Sequence, residues 1–350
     1  MKNYLEWLST ETDTKWWHDS AIPSEIDEAI ENGALGVTTN PVLTYKSLQA
    51  VPQFWQPQVD KIPQNLPPSE RAEALLEIIA KHAADKFKSV YEKTNGQHGY
   101  ALGQLNPAIC SDSEKMLEQA LRYNSWGENI AVKIPTVGAA LPVIEELASR
   151  GIAVCTTLNF SVSQAMAVGE AYEKGVRKAK KTGVSIKPCF AVQQGGRLDE
   201  YLLEVAADNR IDVDISDVKK AGNTVCKKVY RLFKERGITA KIMPAGLRGV
   251  HYLSELAGGD LVFSLQSRVQ RMVIEADLPK VKRIDEETPT DVIERLKRIP
   301  EFVRAYEEGG LAQNDFVTFG VTQKTHSQFF WTGWAPLETY GCTKESDRWF

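Results

Sequence analysis

A lysine stands in the middle of an otherwise apolar run, Ile130-Ala131-Val132-Lys133-Ile134-Pro135. An ammonium group is costly to take out of water, so a lysine in a buried strand needs a partner or a purpose. Two plain accounts are an edge position in solvent and an ion pair with a carboxylate. The chemical account is that Lys133 points into a water-poor pocket, where desolvation lowers its pKa and leaves a neutral amine able to attack a ketone. A second segment, Gly36-Val37-Thr38-Thr39-Asn40-Pro41, crowds polar residues at the end of a short β-branched run, and its proline forces the chain out into a loop. On its own this is a turn motif.

Such residues act only if a scaffold holds them together. Short β-branched or apolar runs recur at 15–19, 36–39, 100–105, 130–134, 153–158, 184–192, 240–245 and 260–265, each followed by a helical pattern. Alternation of this kind predicts an α/β fold with a parallel sheet, and eight units predict closure into a (β/α)8 TIM barrel. In that fold the C-terminal strand ends carry the active site, which is where the polar part of 36–41 falls.

The helix signals agree. Ser24 can cap a helix ending at Gly33, and Ser69 can open a long helix with the stripe Leu76, Ile79, Ala83, Phe87, Val90, stopped at Gly96. Ser161-Val162-Ser163-Gln164 has the form of a capping box, and one helix is expected from Ser216 to Gly237. Residues 44–68, rich in Pro and Gln, are expected as a loop. Residues 1–284 are expected to form the barrel. Residues 285–350 are expected to be a C-terminal extension packed on it, beginning with a helix from Asp291 and then aromatic at Phe329, Phe330, Trp331, Trp334 and Tyr340. The last part is expected to cover the barrel mouth or an oligomer contact.

Composition narrows the partners. The 350 residues are 43% hydrophobic and 25% charged with a formal charge of −4, so no global field attracts nucleic acid or an anionic membrane. Any anion must be held by locally placed arginines. No run approaches the length of a membrane span and the first residues lack a secretory core, which predicts a cytoplasmic protein. The five cysteines are scattered with no CxxC pair, and the five histidines show no ligand spacing. A zinc site, a disulfide framework and a metal-dependent aldolase are therefore disfavoured.

Taken in order, the segments resemble the transaldolase family over roughly residues 15–275. Gly36 to Pro41 is similar to that family's second-strand motif, and Val132-Lys133-Ile134-Pro135 to its lysine strand. Thr157-Leu158 with Phe160-Ser161 and Gln164-Ala165 resembles its fifth unit; Ile242-Met243 with Ala245, Arg248 and Glu255-Leu256-Ala257-Gly258 resembles its seventh. The resemblance implies that Lys133 forms a Schiff base and that Asp19 moves the proton of the substrate's C4 hydroxyl. Thr39 and Asn40 would hold the dihydroxyacetone part, with Thr157 positioning water. Arg197 and Arg248 would grip a phosphate, Arg248 from the start of the seventh helix. It calls for no cofactor and no metal, and for a sugar or sugar-phosphate substrate handled as in the pentose phosphate pathway; a homo-oligomer stays open.

The match departs at several positions. The family's catalytic glutamate falls on Gln104, which can orient a water but cannot accept its proton. Fructose 6-phosphate aldolase-like members also carry glutamine there, yet their tyrosine before the first arginine falls near Gln194. Cys155 replaces a usual asparagine and Gly246 a serine beside Arg248. The expectation is a transaldolase-like enzyme with an altered pocket. The alternatives are a fructose 6-phosphate aldolase-type enzyme, a catalytically silent sugar-phosphate-binding barrel, and a different phosphate-binding barrel enzyme such as an isomerase.

Overall fold

The computed structural model describes residues 3–342. Seven short strands run β1 Lys15–His18, β2 Ala101–Gln104, β3 Ile130–Pro135, β4 Val154–Thr157, β5 Cys189–Gln193, β6 Lys241–Pro244 and β7 Val262–Leu265. All ladders are parallel; β2 to β6 form one sheet in sequence order, and β1 pairs with β7. Single bridges link the two arcs. Ile242↔Leu261 leads from β6 toward β7, and His18↔Val37 leads from β1 to the 36–39 run. The Val37 N–H then donates to the Tyr100 carbonyl just before β2, at 3.0 Å. The neighbour order is that of a (β/α)8 barrel, with regular ladders over two arcs and isolated contacts between them.

The run at 36–39 is therefore a bridge rather than a strand. A Cβ on Gly36 would lie 2.6 Å from the Trp17 indole, and Pro41 already starts a helix, so the extended stretch is too short for a ladder. The run at 184–192 is a strand only from Cys189, because Pro188 has no N–H to donate. Residues 44–68 are not a loop. Helices Pro41–Ala50 and Pro52–Val59 occupy most of this segment, each with proline in its first turn, where the missing N–H costs nothing. Their prolines were start signals, not breakers.

Other boundaries shift for similar reasons. The helix near Ser24 begins at Pro23, with Ile22 as its cap position, and Pro68 opens the long helix Pro68–Lys93. The stretch expected as one helix from Ser216 is two, Ile215–Val218 and Ala221–Arg236; Asp214 caps the first through the Ser216 N–H. The box at Ser161 is half formed. Ser161 Oγ accepts the Gln164 N–H at 3.1 Å, but Gln164 Oε1 turns back to the Phe160 N–H at 3.0 Å, one residue earlier than the rule expects.

Large side chains fill the barrel, among them Trp17, Tyr100, Leu102, Phe190 and Met243. The Trp17 and Phe190 rings lie 4.4 Å apart between centroids. Two residues beyond Trp17, Leu102 and Ala131, which share this floor, come Asp19, Gln104 and Lys133, so the two-residue period lifts them above it onto the same interior side. Around the mouth, the helix Gly320–Phe329 continues into a π-helical turn, Phe330–Trp334, and then Ala335–Thr339. Trp334 and Leu337 are buried with Leu48, Trp55 and Leu75. Gly333 packs on the turn after Asn40, where an added Cβ would come within 2.7 Å of the Val42 nitrogen. Among the described residues no helix is long and apolar enough to cross a membrane, and all five cysteines are free thiols.

Candidate active site

Lys133 is 6% exposed, and its Nζ donates to the Thr39 carbonyl at 3.2 Å rather than to a carboxylate. Burial lowers its pKa from the usual lysine value; nearby Cys155 and Asp19 act the other way and Arg197 adds to the lowering. Desolvation wins because a single carbonyl replaces the ammonium's water shell. Neither the solvent-edge account nor the ion-paired account of this lysine holds.

The ladder sets its neighbours. Gln104 on β2 and Cys155 on β4 lie in register with Lys133. Gln104 is buried and its Oε1 has no hydrogen-bond partner; the Thr157 hydroxyl at the end of β4 is likewise buried and unpartnered. Buried polar atoms left open near a reactive amine can take a water or a substrate group. Burial pushes the Cys155 thiol up to about 12, so it stays protonated and inert.

Asp19 follows β1 and is held by the Thr38 hydroxyl, which donates to Oδ1 at 2.7 Å and lies 2.7 Å from Ser264 Oγ. Thr38 has one proton, so Ser264 must donate to it when Thr38 donates to Asp19. Thr39 turns away, its hydroxyl donating to the Leu102 carbonyl, and offers only its own carbonyl to Lys133. Asn40 caps the helix Pro41–Ala50 through Oδ1 and the Leu43 N–H at 2.9 Å, which leaves its amide NH2 for a ligand.

These groups meet in a cavity of about 110 Å³. Asp19, Asn40, Lys133, Gln194, Arg197 and Arg248 line it. Gln104, Cys155, Thr157 and the Thr39 side chain stand behind the wall. Gln194, just before the helix Gly195–Asp208, has a buried, unpartnered Oε1. Arg197 in the first turn of that helix donates to Gln328 Oε1 at 2.6 Å and lies 5.7 Å over the Phe329 ring. Arg248 makes a two-pronged pair with Glu200, Nε to Oε1 at 2.5 Å and Nη2 to Oε2 at 2.9 Å, and donates from Nη1 to the Gly246 carbonyl at 2.9 Å.

Close backbone approach brings the two arginines together. A Cβ on Gly196 would lie 2.3 Å from the Gly246 carbonyl, and Gly246 itself has a φ of +63° that glycine adopts without strain. Arg248 does not open a helix, because the next one is His251–Leu256; no helix-end field reinforces it. Sequence reasoning missed Thr38, Ser264, Glu200, Gln328 and the exposed Lys46 at the rim. Only Thr38 carried a signal, since it lies in the polar run after Val37.

The site geometry coincides with a family relationship. Residues 16–313 match the family described as Transaldolase/Fructose-6-phosphate aldolase. The chain belongs to that family. It is 28% identical to a transaldolase of Neisseria gonorrhoeae over 164 residues, covering 46% of this chain and 47% of that protein. It is 27% identical over 226 residues to Transaldolase 2 of a Nostoc species, covering 60% and 59%, and 26% identical over 216 residues to a transaldolase of Thiobacillus denitrificans, covering 59% and 58%. The matched part thus spans about half to three-fifths of these relatives' length.

Proposed function

We propose that this family member transfers or releases a dihydroxyacetone unit from a ketose through an imine on Lys133. The carrying observation is a fully desolvated lysine facing a cavity, bonded only to a backbone carbonyl, with its pKa lowered by burial. Such an amine reaches its neutral, nucleophilic form at a lower pH than a solvated lysine does.

Lys133 Nζ adds to the ketose carbonyl and the carbinolamine loses water. Asp19 takes the proton of the C4 hydroxyl, the C3–C4 bond breaks, the aldehyde leaves and the electron pair is stored in the enamine. Attack of that enamine on a second aldehyde, return of the Asp19 proton to the new C4 oxygen and hydrolysis of the product imine complete transfer; protonation of the enamine and hydrolysis complete release. Asn40 offers its NH2 to the retained three-carbon part. Arg197, Arg248 and Gln194 face the departing end. Gln104 and Thr157, with open buried oxygens, orient the water of imine formation and hydrolysis. An aldolase-type outcome is the second reading, because the fructose 6-phosphate aldolase-like members that this chain resembles also carry glutamine at the position of Gln104.

Residues 1–284 then serve as the catalytic barrel and 285–350 as its extension, whose described part finishes the pocket wall through Gln328 and Phe329; residues 1–2 and 343–350 lie outside the described residues. Borohydride reduction in the presence of D-fructose or its 6-phosphate, read by mass, tests the imine. A stable adduct on Lys133 is expected; no adduct with any ketose of a broad panel would refute this function.

A further inference from the structure

The distal end of the pocket carries an internal counter-charge. Arg248 lines the cavity, yet its Nε/Nη2 edge, the edge that meets a carboxylate or phosphate in a fork, is taken by Glu200 at 2.5 and 2.9 Å. A third donor, Nη1, is held by the Gly246 carbonyl at 2.9 Å. The pair is also felt by Glu200, whose carboxyl is held below the usual range chiefly by its hydrogen bonds to Arg248. Arg197 is engaged too, but by the neutral Gln328 amide and the Phe329 face; Glu200 and Asp19 act on it only through space, with no direct ion pair among the described residues. The third wall group, Gln194, is a neutral amide with an open buried carbonyl. Lys46 is exposed at the rim, and water also screens the Arg248–Glu200 pair, whose side chains are 37% and 51% exposed, so what Glu200 withholds is the fork edge of Arg248 rather than a large field.

We propose that Glu200 determines substrate specificity: it competes with an anionic substrate end for Arg248 and so opens the pocket to unphosphorylated ketoses, whose terminal hydroxyls meet Gln194 and Arg197. With two arginines and one glutamate, the subsite holds one net positive charge where a dianionic phosphate would be matched by two. A phosphate must first break the Arg248–Glu200 fork and then sit beside the freed carboxylate. A hydroxyl needs neither step. Glu200 stands three residues after Arg197, a spacing that by itself suggests a pair within the helix; the close approach of Gly196 to Gly246 delivers it to Arg248 instead.

Resting on the imine chemistry proposed above, the test has one arm that needs it and one that does not. The full chain and its Glu200→Gln variant are titrated calorimetrically with inorganic phosphate. Removing the competitor is expected to tighten phosphate on the order of 10-fold, the size of one charge-assisted contact. In the second arm, half-saturation of borohydride trapping is measured for D-fructose and fructose 6-phosphate. Their ratio is expected to shift by about 10-fold toward the phosphate ester in Glu200→Gln. Glu200→Ala repeats both arms if the amide itself disturbs Arg248. Unchanged phosphate affinity and an unchanged ratio in both variants overturn the role of Glu200. Absence of any adduct in wild type overturns the imine function, and the phosphate titration then decides on Glu200 alone.

Discussion

The two ends of the pocket control charge in opposite ways. At the Lys133 end the protein removes water and supplies little in return, so burial lowers the lysine's pKa and favours its neutral form. At the arginine end it leaves the charges in place and answers one with Glu200 and the other with a neutral amide. The proposed reactivity thus rests on desolvation, a property of one strand and its neighbours. Selectivity is set by pairing, a property of loops and helices far apart in sequence. The first kind of control is strong and hard to tune; the second moves with one substitution.

The contrast breaks most sharply at the lysine. Lys133→Ala should lower turnover by at least about 10⁴-fold and abolish borohydride-dependent mass gain while leaving the circular dichroism spectrum intact. Cleavage near the wild-type rate in that variant would show that the buried amine is not the nucleophile. The same amine predicts a pH profile. Because the folded pKa lies below the ordinary lysine value, the neutral form appears, and imine formation rises, at a pH below that value. An imine-forming rate that climbs only around pH 10.4, the ordinary lysine pKa, would mean that burial does not govern it.

A smaller effect is expected from putting a carboxylate at the desolvated end. Gln104→Glu should raise the ratio of transferred product to free dihydroxyacetone by up to about 10²-fold, the size of a positioned acid–base group, because it restores the carboxylate that the transaldolase pattern places at this position. Comparison of the two products by chromatography decides. An unchanged ratio with a raised KM would make Gln104 a substrate-binding residue.

At the paired end the expected losses are smaller again and unequal. Arg197→Ala should weaken inorganic phosphate by about 1.5–3 kcal/mol, and Arg248→Ala by less, because Glu200 already offsets its charge. Equal losses would mean that Glu200 releases Arg248 at no cost. Gln328→Ala is the mildest. It frees Arg197 from a neutral partner and should change ketose affinity by about 0.5–1 kcal/mol, read as a two- to fivefold shift in KM with kcat unchanged.

Much of the scaffold was legible because strand and helix periods are local. The alternation of apolar runs and helices located β1 to β7 to within a few residues. The helix signals at Gly33, Gly237 and the Phe87 stripe are found where the sequence put them. Misreadings came from residues with two meanings. Proline at 41, 52 and 68 starts helices, yet in a Gln-rich stretch it reads as loop. The 36–39 run has strand composition but makes only one bridge, because Trp17 fills the space beside Gly36.

The sequence by itself determined that a lysine stands inside an otherwise apolar run of strand type, that polar residues follow a neighbouring run, and that two arginines come later in the barrel order. These are statements about residue type and local period, and burial of an apolar run follows from them directly. Only the tertiary structure decided that Lys133 meets the Thr39 carbonyl and that Thr38 supports Asp19. It alone showed that Gln328 reaches Arg197 from 131 positions away and Glu200 reaches Arg248 from 48. Such contacts depend on how closely backbones approach, as at Gly196 and Gly246, and on side-chain distances of a few ångströms. No local period encodes those, because many chain paths share the same pattern and differ only in which charges they bring together.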